Sequence, residues 1–94
     1  MFHVLKLDSK YYDASLTNAK TFEIRKNDRK FKVGDIIKLV EVNSELRDES
    51  TVWIGATGRA HYKVITYILD DAEYLKDGYV CLGLKPIPKP GWEE

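Results

Sequence analysis

Asn18-Ala19-Lys20-Thr21-Phe22-Glu23-Ile24-Arg25-Lys26-Asn27-Asp28-Arg29 combines the period-two pattern of a β-strand with an unusual density of charge. Across 21–25, Phe22 and Ile24 share one face, while Thr21, Glu23 and Arg25 share the other. The segment therefore reads as a strand with one polar side. Asn18 stands just before it, and asparagine commonly replaces glycine in the left-handed position that closes a helix. Lys26-Asn27-Asp28-Arg29 is turn-like. Six basic residues fall between positions 20 and 32 (Lys20, Arg25, Lys26, Arg29, Lys30, Lys32) against two acids, Glu23 and Asp28. Such a segment fits an anion-facing patch. It equally fits a solvated strand edge and turn, where lysines discourage edge-to-edge association.

Upstream, Phe2-His3-Val4-Leu5-Lys6-Leu7 alternates with period two and runs into Asp8-Ser9, both good helix N-caps. Tyr12, Leu16 and Ala19 recur at i, i+4 and i+7, so a short helix over 10–17 is expected to dock that face on a sheet and to end at Asn18. Downstream, Val33-Gly34-Asp35 marks a tight turn before the β-branched run Ile36-Ile37-Lys38-Leu39-Val40-Glu41-Val42. Residues 43–50 read as a polar loop, 51–56 as a short strand and 61–69 as a longer one. Asp70-Asp71 is expected to cap a single helical turn ending near Lys76, and Asp77-Gly78 turns the chain into a last strand over 79–84. A domain over 1–86 followed by an extended tail over 87–94, with no packing pattern, completes the division. Many short strands with one helix after the first predict an α+β fold, a small β-barrel of about five to six strands. An open α+β sheet is the competing architecture.

Ninety-four residues suit one domain with one core. With 44% hydrophobic and 32% charged residues, the composition is that of an ordinary globular protein. Apolar runs such as 64–69 fall far short of the ~18–20 residues that span a bilayer, and no signal-peptide layout opens the chain, so a cytoplasmic location without membrane contact is expected. Cys81 is the single cysteine, which excludes an internal disulfide and a cysteine-rich zinc site. His3 and His61 lie far apart and Cys81 has no neighbour at ligand spacing, so neither a metal nor a cofactor is expected. Zero net charge argues against coating nucleic acid by bulk electrostatics. Oligomeric state is left open.

The same stretch resembles the G-x-K-x-x-E-x-R signature of ASCH domains, members of the PUA-like β-barrel superfamily, with Lys20, Glu23 and Arg25 matched and Asn18 in place of the glycine. His3-Val4-Leu5-Lys6, residues 20–29 with Phe31-Lys32-Val33-Gly34-Asp35, Thr57-Gly58-Arg59, and Lys76-Asp77-Gly78-Tyr79-Val80 further resemble the DUF3850 branch, over nearly the whole chain. That resemblance implies a PUA-like barrel and binding of RNA or a nucleotide. The branch is named as a domain of unknown function and implies no settled activity.

The chemistry of these residues can be weighed independently. Glu and Arg two apart on one strand face lie within reach of each other and orient one another. A guanidinium offers a planar fork to phosphate or to a base edge, Lys20 a point charge, and Glu23 an acceptor for a base amine. The bland alternative is an exposed ion pair worth at most about 1 kcal/mol. His3 shares a face with Leu5 and Leu7 and reads as a core histidine or as a neighbour of the signature. Arg59 is a candidate second anion contact, and Trp53 and Tyr62 are candidate stacking platforms, a base on an aromatic ring being worth roughly 1–3 kcal/mol. The first function read from this set is RNA or nucleotide binding in a cleft lined by Lys20, Glu23 and Arg25. The second is the amidohydrolase activity on acylated (N4-acetyl) cytidine of small ASCH proteins, for which Lys20, Thr21 and Glu23 would be the catalytic set; here the nucleophile's position falls on Glu23, and a carboxylate does not replace a threonine hydroxyl. The third is a protein-interaction domain.

Overall fold

The computed structural model describes residues 1–43 and 55–93. Most of the predicted loop over 43–50 and of the predicted strand over 51–56, with Trp53, lies outside the described residues. The elements run β1 (Phe2–Asp8), α1 (Ser9–Leu16), β2 (Phe22–Lys26), β3 (Ile36–Val42), β4 (Ala56–Leu69) and β5 (Tyr79–Ile87). They build a five-stranded mixed sheet in the order β1-β3-β4-β5-β2.

β1 and β3 pair in parallel, from Phe2 opposite Ile36 to Asp8 opposite Val42, and every other pair is antiparallel. A parallel pair needs a crossover. Here the crossover is α1 followed by β2, and β2 crosses to the far edge of the sheet to pair with β5. The sheet thus curls into a half-barrel with β1 at one rim and β2 at the other. Two arginines span the rims: Arg25 Nη2 donates to the Lys6 carbonyl (2.6 Å) and Arg29 Nη1 to that of Val4 (3.0 Å). Side chains therefore do at the seam what ladder hydrogen bonds do elsewhere. The small β-barrel expected from the sequence is observed as a half-barrel with one helix.

Alternation places Leu5 and Leu7 of β1, Ile37 and Leu39 of β3, Ile65 of β4 and Val80, Leu82 and Leu84 of β5 on the interior face, where Tyr12 and Phe31 join them. Burying each such side chain is worth ~1.5–3 kcal/mol. A register shift between Ile65 and Tyr67 gives β4 one extra residue against β5, so past the bulge Ile68 packs against the core while Tyr67 is exposed.

Asp8 caps α1 by accepting from the Lys10 amide (3.0 Å). Asn18 closes it with φ 64, as the sequence predicts. The docking face differs from the expected one. Tyr12 and Ser15 are buried, whereas Leu16 and Ala19 are exposed, because polar groups on β4 draw Ser15 inward. The single helical turn expected before the last strand is present, with the Tyr74 and Leu75 amides both donating to the Asp71 carbonyl (3.0 Å each), and it does not extend into a longer helix. The chain beyond 86, expected to be an extended tail with no packing pattern, turns at 90–93, where the Glu93 amide donates to the Pro90 carbonyl (3.0 Å), and does pack. β5 continues to Ile87, Trp92 meets Phe2 edge-on at 4.8 Å, and Glu93 accepts from Lys38 Nζ and from the Tyr62 hydroxyl (2.9 Å).

Candidate functional site

β2 inverts the usual rule for an amphipathic strand. Glu23 is 3% exposed, whereas Phe22 and Ile24 are 44% and 54% exposed. The register explains this. Glu23 lies opposite Leu82 and Arg25 opposite Val80, both interior residues, and directly paired residues share a face. Phe22 and Ile24, opposite Gly83 and Cys81, consequently face outward. The charged face is the inner one.

A carboxylate in such a place requires partners. Glu23 Oε1 accepts from Arg25 Nε (3.1 Å) and Nη2 (3.0 Å), and Oε2 is contacted by Lys20 Nζ. Lys20 also donates to the Phe22 carbonyl (2.7 Å), with its ammonium 5.1 Å from the Phe22 ring and 5.9 Å from that of Tyr11. In front of the carboxylate lies a recess of about 440 Å³ lined by Leu7, Tyr11, Lys20, Phe22, Glu23 and Ile24. Its walls are largely apolar and aromatic, with Lys20 and Glu23 as the charged residues of the lining.

Behind Glu23 stands a second polar layer supplied by β4. Lys63 is 1% exposed and donates to the Ser15 carbonyl (2.8 Å) and to Asn18 Oδ1 (2.7 Å), so a buried ammonium ties down the C-terminal end of α1. Burial pushes its pKa down, the Lys20 charge pushes the same way, and Glu23 opposes both. His61 shares a 2.8 Å hydrogen bond with Ser15 Oγ through Nε2 and meets the Tyr12 ring edge-on at 4.7 Å. Burial, reinforced by the Lys63 charge, lowers its pKa to about 4, so the imidazole is neutral at pH 7. Its Nδ1 is buried without a hydrogen-bond partner among the described residues. Lys20, Arg25 and Lys63 thus surround one carboxylate, so this cluster holds more cations than anions.

The other sequence candidates are placed elsewhere. His3 is buried against Phe31, with Nε2 2.8 Å from Asp35 Oδ2, and does not line the recess. Asp35 also receives the Met1 amine (2.9 Å) and the Lys32 amide (3.0 Å); burial pushes its pKa up, but these bonds outweigh it and bring the carboxyl to about 2. Arg59 is committed to Glu41 through Nε (2.9 Å) and Nη2 (3.0 Å) and to Asp13 (3.0 Å), over the Tyr12 ring at 4.5 Å. Hydrogen bonds from Arg59 and Thr57 hold Glu41 at about 2. Tyr62, expected as an exposed platform, is 7% exposed beneath Glu93. Tyr11 and Phe22 are the aromatic walls of the recess instead. Thr21 is exposed, and its carbonyl accepts from the Leu84 amide (2.9 Å).

Sequence reading missed Lys63, His61, Ser15 and Tyr11. The available signal was that His61, Lys63 and Ile65 share one face of a strand, which puts a lysine among interior positions.

Residues 2–84 match the family model described as "Domain of unknown function (DUF3850)". The chain belongs to the DUF3850 family. A relative from Escherichia phage P2, described as "Uncharacterized 12.9 kDa protein in GpA 3'region", is 35% identical over 82 residues, which cover 85% of this chain and 64% of the relative. The DUF3850 chain therefore spans somewhat less than two thirds of that protein's length. Among the described residues of this DUF3850 domain, no three or more His, Cys, Asp or Glu side chains are grouped to hold a metal ion, and no helix is long and apolar enough to cross a membrane.

Proposed function

We propose that this DUF3850 domain is a PUA-like half-barrel that binds a nucleotide, free or within RNA, by seating its base in the recess beside Glu23. The carrying observation is the buried carboxylate of Glu23, held between Lys20 and Arg25 and lining a largely apolar, aromatic-walled recess. A carboxylate offers about four lone-pair sites, and three are taken by Arg25 and Lys20. One acceptor position is left for a donor on the guest, such as the exocyclic amine of cytosine or adenine. Tyr11 and Phe22 supply rings for stacking. Arg25 Nη1, which makes no hydrogen bond among the described residues, and the third N–H of Lys20 supply charge for a phosphate.

Amide hydrolysis draws no support from this geometry. The Lys20 ammonium is bound to Glu23 and to the Phe22 carbonyl, which leaves no base beside the exposed Thr21 hydroxyl.

Isothermal titration at low salt with the monophosphates of cytidine, adenosine and uridine tests the binding reading. Cytidine and adenosine monophosphates are expected to bind more tightly than the uridine compound. Glu23→Gln is expected to weaken them by about 10–100-fold, the equivalent of one charged hydrogen bond. Absence of binding by all three, or binding indifferent to Glu23→Gln, would refute the proposal.

A further inference from the structure

The nucleotide reading uses only one end of the seam between β1 and β2. Two more cavities lie along it, in step with the residues of β1. The first, at Leu7, is the recess itself. The second, of about 150 Å³ at Leu5, is lined by Arg25, Lys26, Asp28, Arg29 and Phe31. The third, of about 370 Å³ at Met1, is lined by Arg29, Lys30, Lys32 and Asp35. Arg29 belongs to both the second and the third, so the two adjoin, while Arg25 joins the second to the recess through its hydrogen bonds to Glu23. From Met1 to Leu7 is six strand steps, or ~20 Å at about 3.3 Å per residue. Over that length, the side opposite β1 presents Arg25, Lys26, Arg29, Lys30 and Lys32. Of the two acids there, Asp35 is already paired with the Met1 amine and His3.

We infer that the guest is a single-stranded nucleic acid, whose phosphodiester backbone runs from the Glu23 recess along the β1–β2 seam over Arg25, Lys26, Arg29, Lys30 and Lys32. This rests on the nucleotide reading of the recess. Successive nucleotides of one strand rise by about 3.4 Å along the axis when stacked as in a duplex and by up to roughly twice that when extended, so ~20 Å accommodates about three extended nucleotides. A row of cations matches that repeating charge, and each arginine spends only part of its guanidinium on β1 carbonyls, leaving donors for phosphate oxygens. Single strands are favoured over duplexes because a base enters the recess only once it is out of the stack. The basic segment of an electrically neutral chain thereby acquires a task that net charge conceals.

The test compares cytidine monophosphate with a cytidine hexaribonucleotide on the wild-type chain, on Lys26→Gln/Lys30→Gln/Lys32→Gln and on Glu23→Gln, across 25–200 mM salt. The three lysine side chains are exposed and make no hydrogen bond among the described residues, so the triple variant is expected to fold; a thermal melt checks this. The hexamer is expected to bind at least about 10-fold tighter than the monophosphate, with a log–log salt slope near −2, as about three neutralised phosphates on a single strand require. The triple variant is expected to lose most of that slope and gain, leaving monophosphate affinity unchanged. A hexamer no tighter than the monophosphate, or one indifferent to the three lysines, overturns the inference and leaves the recess standing. Monophosphate and hexamer binding both indifferent to Glu23→Gln, with the hexamer still dependent on the lysines, sinks the recess reading and supports the backbone track.

Discussion

Glu23→Gln tests the inverted face of β2 through stability alone. The side chain of Glu23 is 5% exposed and receives three contacts from Lys20 and Arg25, whose own side chains are 18% and 23% exposed. Removing one partner of a fully buried pair costs ~3–5 kcal/mol, while a solvated surface pair is worth about 0–1. Lys20 and Arg25 keep enough exposure to turn partly toward water, so the expected loss lies between these limits, at about 2 kcal/mol. In a domain of this size that lowers Tm by about 10 °C. Urea denaturation at pH 7 measures it directly, and an unchanged m value shows that the denatured state is not the source. Arg25→Gln completes a double-mutant cycle, in which the double variant is expected to lose less than the sum of the singles by about 1–2 kcal/mol. Lys20→Met/Glu23→Leu/Arg25→Met removes these three charges together and is expected to lose less than the sum of the single variants, the remaining loss coming from the Arg25 bond to the Lys6 carbonyl and from Lys63 left without its facing carboxylate. Nucleotide binding would nevertheless be abolished. Single-variant losses below about 0.5 kcal/mol with no coupling would mean that the cluster is hydrated like a surface pair, and the reasoning about β2 would fail.

Acid should weaken the fold in two windows. His61 is held neutral with a pKa near 4, so below its ordinary value of 6.5 the unfolded chain takes up a proton that the folded chain refuses, and stability falls between pH 6.5 and 4. Asp35 and Glu41, both held near 2, contribute stability above their ordinary values of 3.8 and 4.5 that is lost as the pH falls toward 2. Urea midpoints from pH 7 to pH 2 should show both phases, with His61→Gln flattening the first and Asp35→Asn part of the second; a flat profile above pH 4.5 in wild type would refute the His61 assignment. Lys63→Met keeps the length of the side chain but removes its hydrogen bonds to Ser15 and Asn18, and should cost about 1–3 kcal/mol. Hydrogen exchange should report it first at the Thr17, Asn18 and Lys20 amides, which close the end of α1; unchanged protection there would show that the ammonium does not secure the helix.

Local rules carried the sequence reading a long way. A strand at the start, a helix capped at Asp8 and ended by Asn18, the turn at Gly34, the strand from Ile36 and the turn at Gly78 all follow from short-range patterns, since each depends on the conformational preference of a few neighbouring residues. The signature Lys20, Glu23 and Arg25 was legible in the same way. Period two groups Glu23 with Arg25 and separates both from Phe22 and Ile24, but it is blind to which group faces the interior. Pairing with β5 decided that, by setting Glu23 beside Leu82 and Arg25 beside Val80. Lys63 and His61, 45 to 48 residues further along the chain, reach Ser15 and Asn18 only because α1 packs on β1 and β3 and β4 pairs with β3, and no local pattern encodes that meeting. His3 and Arg59 were likewise claimed by Asp35, Glu41 and Asp13, carboxylates distant in sequence. Sequence by itself determined the elements and the charged motif; the tertiary structure decided what lies inside, because burial is a property of the whole sheet and a strand's own alternation leaves it undetermined.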